Sequence, residues 1–385
     1  MKKLVNRKSA LWTAIALSVT AGAALSSAAY ADSSSVTIYG IVDAGVVSVS
    51  NQAVAAGGTG RDTALNTGGM SPSIFGFKGS EDLGNGLKAN FNLEGHMFTT
   101  TGAGDQWGGL FGRQANVGLS NDMGTLTIGK QYSPAVLAFA ATDPRGLKET
   151  FSGLISWALT QNPLNVGTAT APANSNSVID VFLANAISLS TKVGDVNLSG
   201  SYSLGGVAGN TSANSVVALG ATYTGPVTLS AAYQQDNGQM SGLTGGTGAQ
   251  TKKASVGIGY TFGNATVTAN YLNDKNTNPA TGVELQNYDI YGLGLNYKTS
   301  AVNTATLAFY SSKNKDAVSD TSKTWILSDD YALSKRTTLY ALLAGVSTGA
   351  NYSAGAAFGV ANNNVFLGAA NGTTNAVEFG IRHTF

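Results

Sequence analysis

The chain has 385 residues, with 22 Lys+Arg against 21 Asp+Glu, 49 glycines, seven prolines and no cysteine. Charged residues make up only 11% of it, under half the share of about a quarter usual in soluble domains. That balance excludes the basic face a nucleic-acid partner needs, and the absent thiols exclude disulfides, thiolate metal ligands and thiol catalysis. Glycine without a G-X-Y period, together with recurring apolar positions, excludes collagen and plain disorder and leaves a protein of strands and turns.

Lys2, Lys3, Arg7 and Lys8 open the chain, an uncharged stretch runs from Ser9 to Ser27, and Ala29-Tyr30-Ala31 follows. A basic head, an apolar run and an A-x-A site predict a secretory signal peptide over 1–31, cleaved after Ala31. Four basic residues leave with it, so 18 basic residues face 21 acidic ones and the mature net charge is −3. Residues 32–385 read as one domain. Beyond the leader no stretch of 18 uninterrupted apolar residues occurs, so no transmembrane helix is expected.

A two-residue period dominates the rest. Val196, Leu198, Gly200, Tyr202 and Leu204 alternate with Asn197, Ser199, Ser201 and Ser203. Val217-Leu219-Ala221-Tyr223, Val227-Leu229-Ala231-Tyr233, Val256-Ile258-Tyr260-Phe262 and Val267-Ala269-Tyr271 repeat the pattern. Side chains of a strand point alternately to opposite faces, so each segment has one apolar and one polar face. The polar partners are mostly small, and the apolar series end in Tyr or Phe, as the interfacial girdles of a membrane barrel require. Short connections at 121–124, 193–195, 224–226, 263–264 and 334–336 alternate with long ones at 51–70, 236–251, 273–286 and 347–372. Counting segments gives sixteen strands, with 178–192 and 321–334 the weakest. In lipid only a helix or a closed barrel satisfies every backbone group, which predicts a 16-stranded antiparallel transmembrane β-barrel.

Several segments resemble the trimeric general-diffusion porins of Gram-negative bacteria, in their β-proteobacterial branch. Ser35–Gly45 is similar to the first strand and Phe75–Ala89 to the second hairpin. Phe111–Leu119 and Gly124–Tyr132 resemble strands four and five, and Tyr331–Thr337 the turn between strands fourteen and fifteen. Phe379–Phe385 resembles the terminal strand. The resemblance implies short periplasmic turns, long extracellular loops, and a third loop, here between Tyr132 and Val178, that folds inward and narrows the channel. It also implies that Phe385 is part of the signal read by the barrel-insertion machinery. The partners it implies are ions and small hydrophilic solutes, outer-membrane lipid and lipopolysaccharide, and further copies of the chain in a homotrimer. No cofactor is expected.

Of the arginines the family sets in its constriction, Arg113 is present. Ile74 stands where a second is expected, and Ala173 and Asn174 where a third is. Alternation sends Lys78, Glu94 and Arg382 inward, whereas Arg113 shares parity with outward Val117 and Leu119, and Lys130 with Leu126 and Ile128; a bulge would re-aim either, and without one Lys130 lies near a rim or subunit contact. The expected pore set is Asp43, Lys78, Glu94, Arg113, Lys130, Arg145, Lys148, Glu149 and Arg382. Charges lining a narrow aqueous lumen set ion preference without tight binding, and this set predicts weak selectivity, neutral or slightly for cations. The two histidines, His96 and His383, lie without a catalytic or metal-ligand spacing around them. Two other readings stay open: a barrel serving as surface adhesin or receptor, and a substrate-selective channel.

Overall fold

The computed structural model describes residues 35–53, 58–104, 109–159, 176–178, 180–238, 250–279, 281–315, 320–349 and 372–385. The leader 1–31, Ala173 and Asn174 lie outside the described residues, as do most of 236–251 and 347–372.

In chain order the strands are β1 (Ser35–Ala53), β2 (Thr59–Thr67), β3 (Ile74–Gly84), β4 (Leu87–His96), β5 (Gln114–Asn121) and β6 (Gly124–Tyr132). Two short helices follow, α1 (Pro134–Ala140) and α2 (Gly153–Leu159). Then come β7 (Ser177–Val178), β8 (Phe182–Val193), β9 (Val196–Ser203), β10 (Val216–Thr224), β11 (Val227–Asn237) and β12 (Gln250–Phe262). The last are β13 (Ala265–Thr277), β14 (Glu284–Lys298), β15 (Asn303–Asn314), β16 (Asp320–Ala332), β17 (Thr337–Thr348) and β18 (Thr373–Thr384).

All pairings are antiparallel between neighbours, and the sheet closes where β1 meets β18 from Ile41↔Thr384 to Val49↔Ala376. The wall has sixteen positions. β2 pairs with the upper part of β1 and β3 with its lower part, so the two share one position, interrupted at 68–73. β7 is a two-residue stub on β8. The segments weakest in sequence form the full strands β8 and β16.

Closure follows from the backbone, since a closed ladder leaves no edge carbonyl or amide facing hydrocarbon. Phe385 completes the seam: its N–H donates to Gly40 O (3.1 Å) and Gly40 N–H donates to Phe385 O (3.2 Å). A Cβ on Gly40 would sit 2.3 Å from the Phe385 ring, so the missing side chain makes room for the terminal aromatic. The outer face is a continuous apolar surface, with Val117, Ile128, Leu189, Leu219, Ile258, Leu293, Leu307, Leu327 and Phe379 all exposed. Such a surface far exceeds the patches a soluble monomer tolerates. No helix among the described residues is long and apolar enough to cross a membrane; the strands do the crossing.

Candidate functional site: a loop-narrowed lumen

The long connection after β6 turns into the barrel. Ser133 caps α1, its Oγ accepting from Ala135 N–H (3.2 Å), and Pro134 occupies the first helical turn. Proline fits there because that N–H has no helical partner. The Ser133 hydroxyl donates to Gln234 Oε1 on β11 (2.5 Å), and the Thr142 and Ser230 hydroxyls bond at 2.6 Å. Farther along, Asn296 Nδ2 on β14 donates to Pro144 O (3.0 Å) and the Tyr310 hydroxyl on β15 donates to Asp143 Oδ1 (3.1 Å). Lys148 pairs with Asp330 on β16. The Thr150 hydroxyl donates to Glu378 Oε2 on β18 (3.0 Å) and to Gly69 O (2.9 Å). Thus the loop lies along the inner wall from β10 to β18.

Glycines make the track. A Cβ on Gly220 would stand 2.3 Å from Pro134 O, one on Gly257 1.9 Å from Thr142 Oγ1, and one on Gly294 2.6 Å from Pro144 Cβ. All three face inward by alternation with outward Leu219, Val256 and Leu293, and their bare backbone lets the loop approach closely.

The loop folds on its own carboxylate as well. Asp143 accepts N–H bonds from Arg145 (3.0 Å), Leu147 (2.9 Å) and Gly153 (3.0 Å), tying both sides of the 143–153 turn together. Burial raises the Asp143 carboxyl above its ordinary range, against these donors. Burial likewise lowers the Arg145 guanidinium and the Lys148 amine. The returning α2 stacks Trp157 on Phe139 (5.2 Å between centroids), and Trp157 Nε1 donates to Asp180 O (3.0 Å). Beneath it the wholly buried Lys253 ammonium meets Asp274 (2.8 Å), Asp180 (3.1 Å) and the Trp157 carbonyl. The sequence reading places Asp274 in the long connection 273–286, whereas Lys253 and Asp274 lie on β12 and β13 and face inward. Asp180 comes to them only through the fold.

Across the lumen, the wall of β3–β6 carries the other charges. Arg113 lies just before β5, and its N–H donates to Glu94 O (3.1 Å), one residue off the Glu94↔Gln114 pairing. That offset turns its side chain inward, while Phe111 remains outside against Phe75 (6.3 Å) and Phe77 (6.4 Å). Arg113 Nε donates to Glu94 Oε1 at 2.8 Å, with both side chains 6% exposed. Its guanidinium also reaches the Tyr132 hydroxyl and lies 4.7 Å from the Phe182 ring centre. The Tyr39 hydroxyl donates to Glu94 Oε2 (2.9 Å), and Lys78 lies over the Tyr39 ring (5.1 Å). Glu149 of the loop is within electrostatic reach of Arg113. His96 is buried edge-on to Phe98 (4.7 Å) at the end of this wall.

The structure therefore groups Lys78, Glu94 and Arg113 on one side with Arg145, Lys148, Glu149 and Arg382 on the other. Three expectations need correction. Asp43 does not present its carboxylate to the lumen: it is fully buried and accepts from Gly69 (3.3 Å), Met70 (3.1 Å) and Ser71 (2.8 Å) N–H and from the Tyr340 hydroxyl (2.7 Å). It braces the break between β2 and β3. Arg145 is 4% exposed and packed behind the loop, so it acts on the lumen only through its field. Lys130 stands opposite Ala115, which stands opposite outward Leu93, so the ladder keeps it on the outer row. The β6–β8 register shift falls at Lys130, but its extra residue is on β8, between Leu183 and Ala186, so the alternation along β6 is kept.

Comparison with known proteins agrees with this architecture. The family model for Gram-negative porins matches residues 16–351. The chain is 28% identical over 377 residues to outer membrane porin protein 32 of Delftia acidovorans, covering 97% of this chain and 98% of that one. An anion-selective porin from Comamonas acidovorans superposes with a TM-score of 0.76 at 26% identity, over 92% of this chain and 100% of that one. The trimer form of OmpT of Vibrio cholerae shares the fold at 12% identity and a TM-score of 0.61, over 92% and 100% of the two chains. Closed antiparallel wall, inward loop and matched sequence together make this chain a member of the Gram-negative porin family, a passive diffusion channel of the outer membrane.

Proposed function

We propose that this porin is weakly ion-selective, close to neutral with a slight preference for cations. One observation supports the reading above the rest: the charges on the 143–150 stretch of the loop and the wall near it nearly cancel. Lys78, Arg113, Arg145, Lys148 and Arg382 are set against Asp43, Glu94, Asp143, Glu149, Asp330 and Glu378, five against six. Arg113, the arginine retained in the constriction, is already paired with Glu94, so its field on a passing anion is largely offset. The anion preference in the name of the Comamonas porin belongs to that protein.

The remaining parts of the reading are a leader cleaved after Ala31, assembly as a homotrimer with outer-membrane lipid and lipopolysaccharide around it, and recognition of Phe385 during insertion. Single-channel recording of the refolded mature protein in a planar bilayer with a salt gradient tests the channel. Equal steps in groups of three and a reversal potential near zero are expected. A strong chloride preference would overturn the selectivity reading. A silent bilayer with a folded barrel would favour a receptor built on a plugged barrel.

A further inference from the structure

Two guanidinium groups between the loop and the last strands lack an acceptor. Arg145 of the loop is 4% exposed, and its Nε and Nη1 are buried without a hydrogen-bond partner. Arg382 of β18 has its Nε buried in the same condition. Neither forms an ion pair among the described residues. Arg113, by contrast, is held by Glu94, the Tyr132 hydroxyl and the Phe182 ring.

The acids nearby are already engaged. Asp330, Glu378 and Asp143 all act on Arg145 through their charge. Asp330 is bound by Lys148. Glu378 accepts from Asn66 Nδ2 (2.8 Å) and from the Thr150 hydroxyl (3.0 Å). Asp143 is taken up by three backbone N–H groups and the Tyr310 hydroxyl. Asp43, which stands opposite Arg382, is taken up by the amides of 69–71 and the Tyr340 hydroxyl.

Register brings the cations into one neighbourhood. Asp330 stands opposite Tyr340, and Tyr340 opposite Gly380. Arg382 lies two residues beyond Gly380 on the same inward face. Lys148, tied to Asp330, is within electrostatic reach of both Arg145 and Arg382. Its side chain is 15% exposed and Arg382 is half-buried, which leaves a way in from the lumen. A buried charge without a counter-charge is among the costliest features a fold can hold, and a planar guanidinium fork suits paired oxygens of a phosphate or carboxylate. Two forks on separate elements call for oxygens on separate sides of one ligand. A tetrahedral oxyanion has them and a planar carboxylate does not. Chloride balances one charge and offers neither fork a pair of oxygens.

We propose that Arg145 and Arg382 bind a small doubly charged oxyanion of the phosphate class between the loop and β18, with Lys148 beside it. The bound anion ties the loop to the strand that closes the barrel. The proposal rests on the seat of the loop and is independent of the sign of ion selectivity. Isothermal titration calorimetry of the refolded protein with inorganic phosphate, at an ionic strength held constant with sodium chloride, reads the binding. One saturable site per chain is expected. Arg145→Gln and Arg382→Gln should each weaken it about tenfold or more, as loss of charge-assisted hydrogen bonds requires. Lys335→Gln/Arg336→Gln, at the short-turn end, should bind like the parent. No saturable binding by the unmodified protein overturns the proposal, as does parental affinity in both arginine variants or an equal loss in the short-turn variant. Arg382→Gln alters the closing strand, so thermal unfolding in phosphate against chloride gives a second reading that needs only the loop variant. Phosphate should raise the midpoint of the unmodified protein and leave that of Arg145→Gln unmoved; an equal rise in both overturns the proposal. Conductance measured on the same preparations keeps a failure of the channel reading separate from a failure of this one.

Discussion

Replacing Glu94 by glutamine removes one negative charge from the inner wall of β4 and leaves Arg113 without its ion-pair partner. In the structure Glu94 holds Arg113 Nε at 2.8 Å, and both side chains are 6% exposed. Leaving a buried charge alone costs about 3–5 kcal/mol in general. Here the glutamine carbonyl still accepts from Nε, and the Tyr132 hydroxyl and the Phe182 ring still face the guanidinium. The expected loss of stability is therefore smaller, about 1–3 kcal/mol. The effect on ions is electrostatic. A unit charge at ~4 Å in water is worth about 1 kcal/mol, which is about a fivefold change in occupancy of opposite sign for potassium and chloride. Salt screening reduces this, so the permeability ratio should move about tenfold toward chloride. The assay is the reversal potential of E94Q in a salt gradient, with resistance to detergent unfolding as a check on assembly. An unmoved reversal potential in a folded channel would show that the Arg113–Glu94 pair lies off the ion path.

Three further outcomes follow from the loop seat. Gly294→Leu places carbon where Pro144 lies, 2.6 Å from the position of its Cβ, so the loop should lift from the wall and single-channel conductance should change with the barrel intact; unchanged conductance and flicker would refute the glycine track. Lys253→Met strips the cation from Asp180 and Asp274 and should destabilise the loop anchor by about 3–5 kcal/mol, visible as a lower thermal midpoint, which the double variant with Asp274→Leu should partly restore. Asp143 has its carboxyl raised from 3.8 by burial, so the seated loop holds that proton more tightly than a displaced one. Its contribution is then fully present below pH 3.8 and is lost as pH rises through the raised value. Channel flicker should increase from acid to neutral pH, and Asp143→Asn should make it independent of pH.

Most of the wall was legible from alternation. Val256-Ile258-Tyr260-Phe262 and its counterparts state their outward faces outright, because a strand between lipid and water must alternate. The sequence was weakest at 178–192 and 321–334. There Asn185 takes a left-handed conformation (φ 49°) and shifts the register of β8 against β6, and Asp329 and Asp330 put charge near the end of β16. The split of one wall position into β2 and β3 also escaped the sequence, because Asp43 braces it through backbone amides at 69–71 that no side-chain pattern reports.

The site divides in the same way. The amino-acid order alone determined that alternation sends Lys78, Glu94 and Arg382 inward and that a long charged segment follows Tyr132, while the family resemblance pointed to Arg113 as a constriction residue. Only the tertiary structure decided what those charges meet. Parity fails at Arg113 because an off-register hydrogen bond turns the chain, and it holds at Lys130 because the β5–β6 ladder stays in register. The pairings of Lys148 with Asp330 and of Thr150 with Glu378 span 182 and 228 residues. Contacts at that separation exist only once the barrel has closed, since closure is what brings β18 around to the strands that precede the loop.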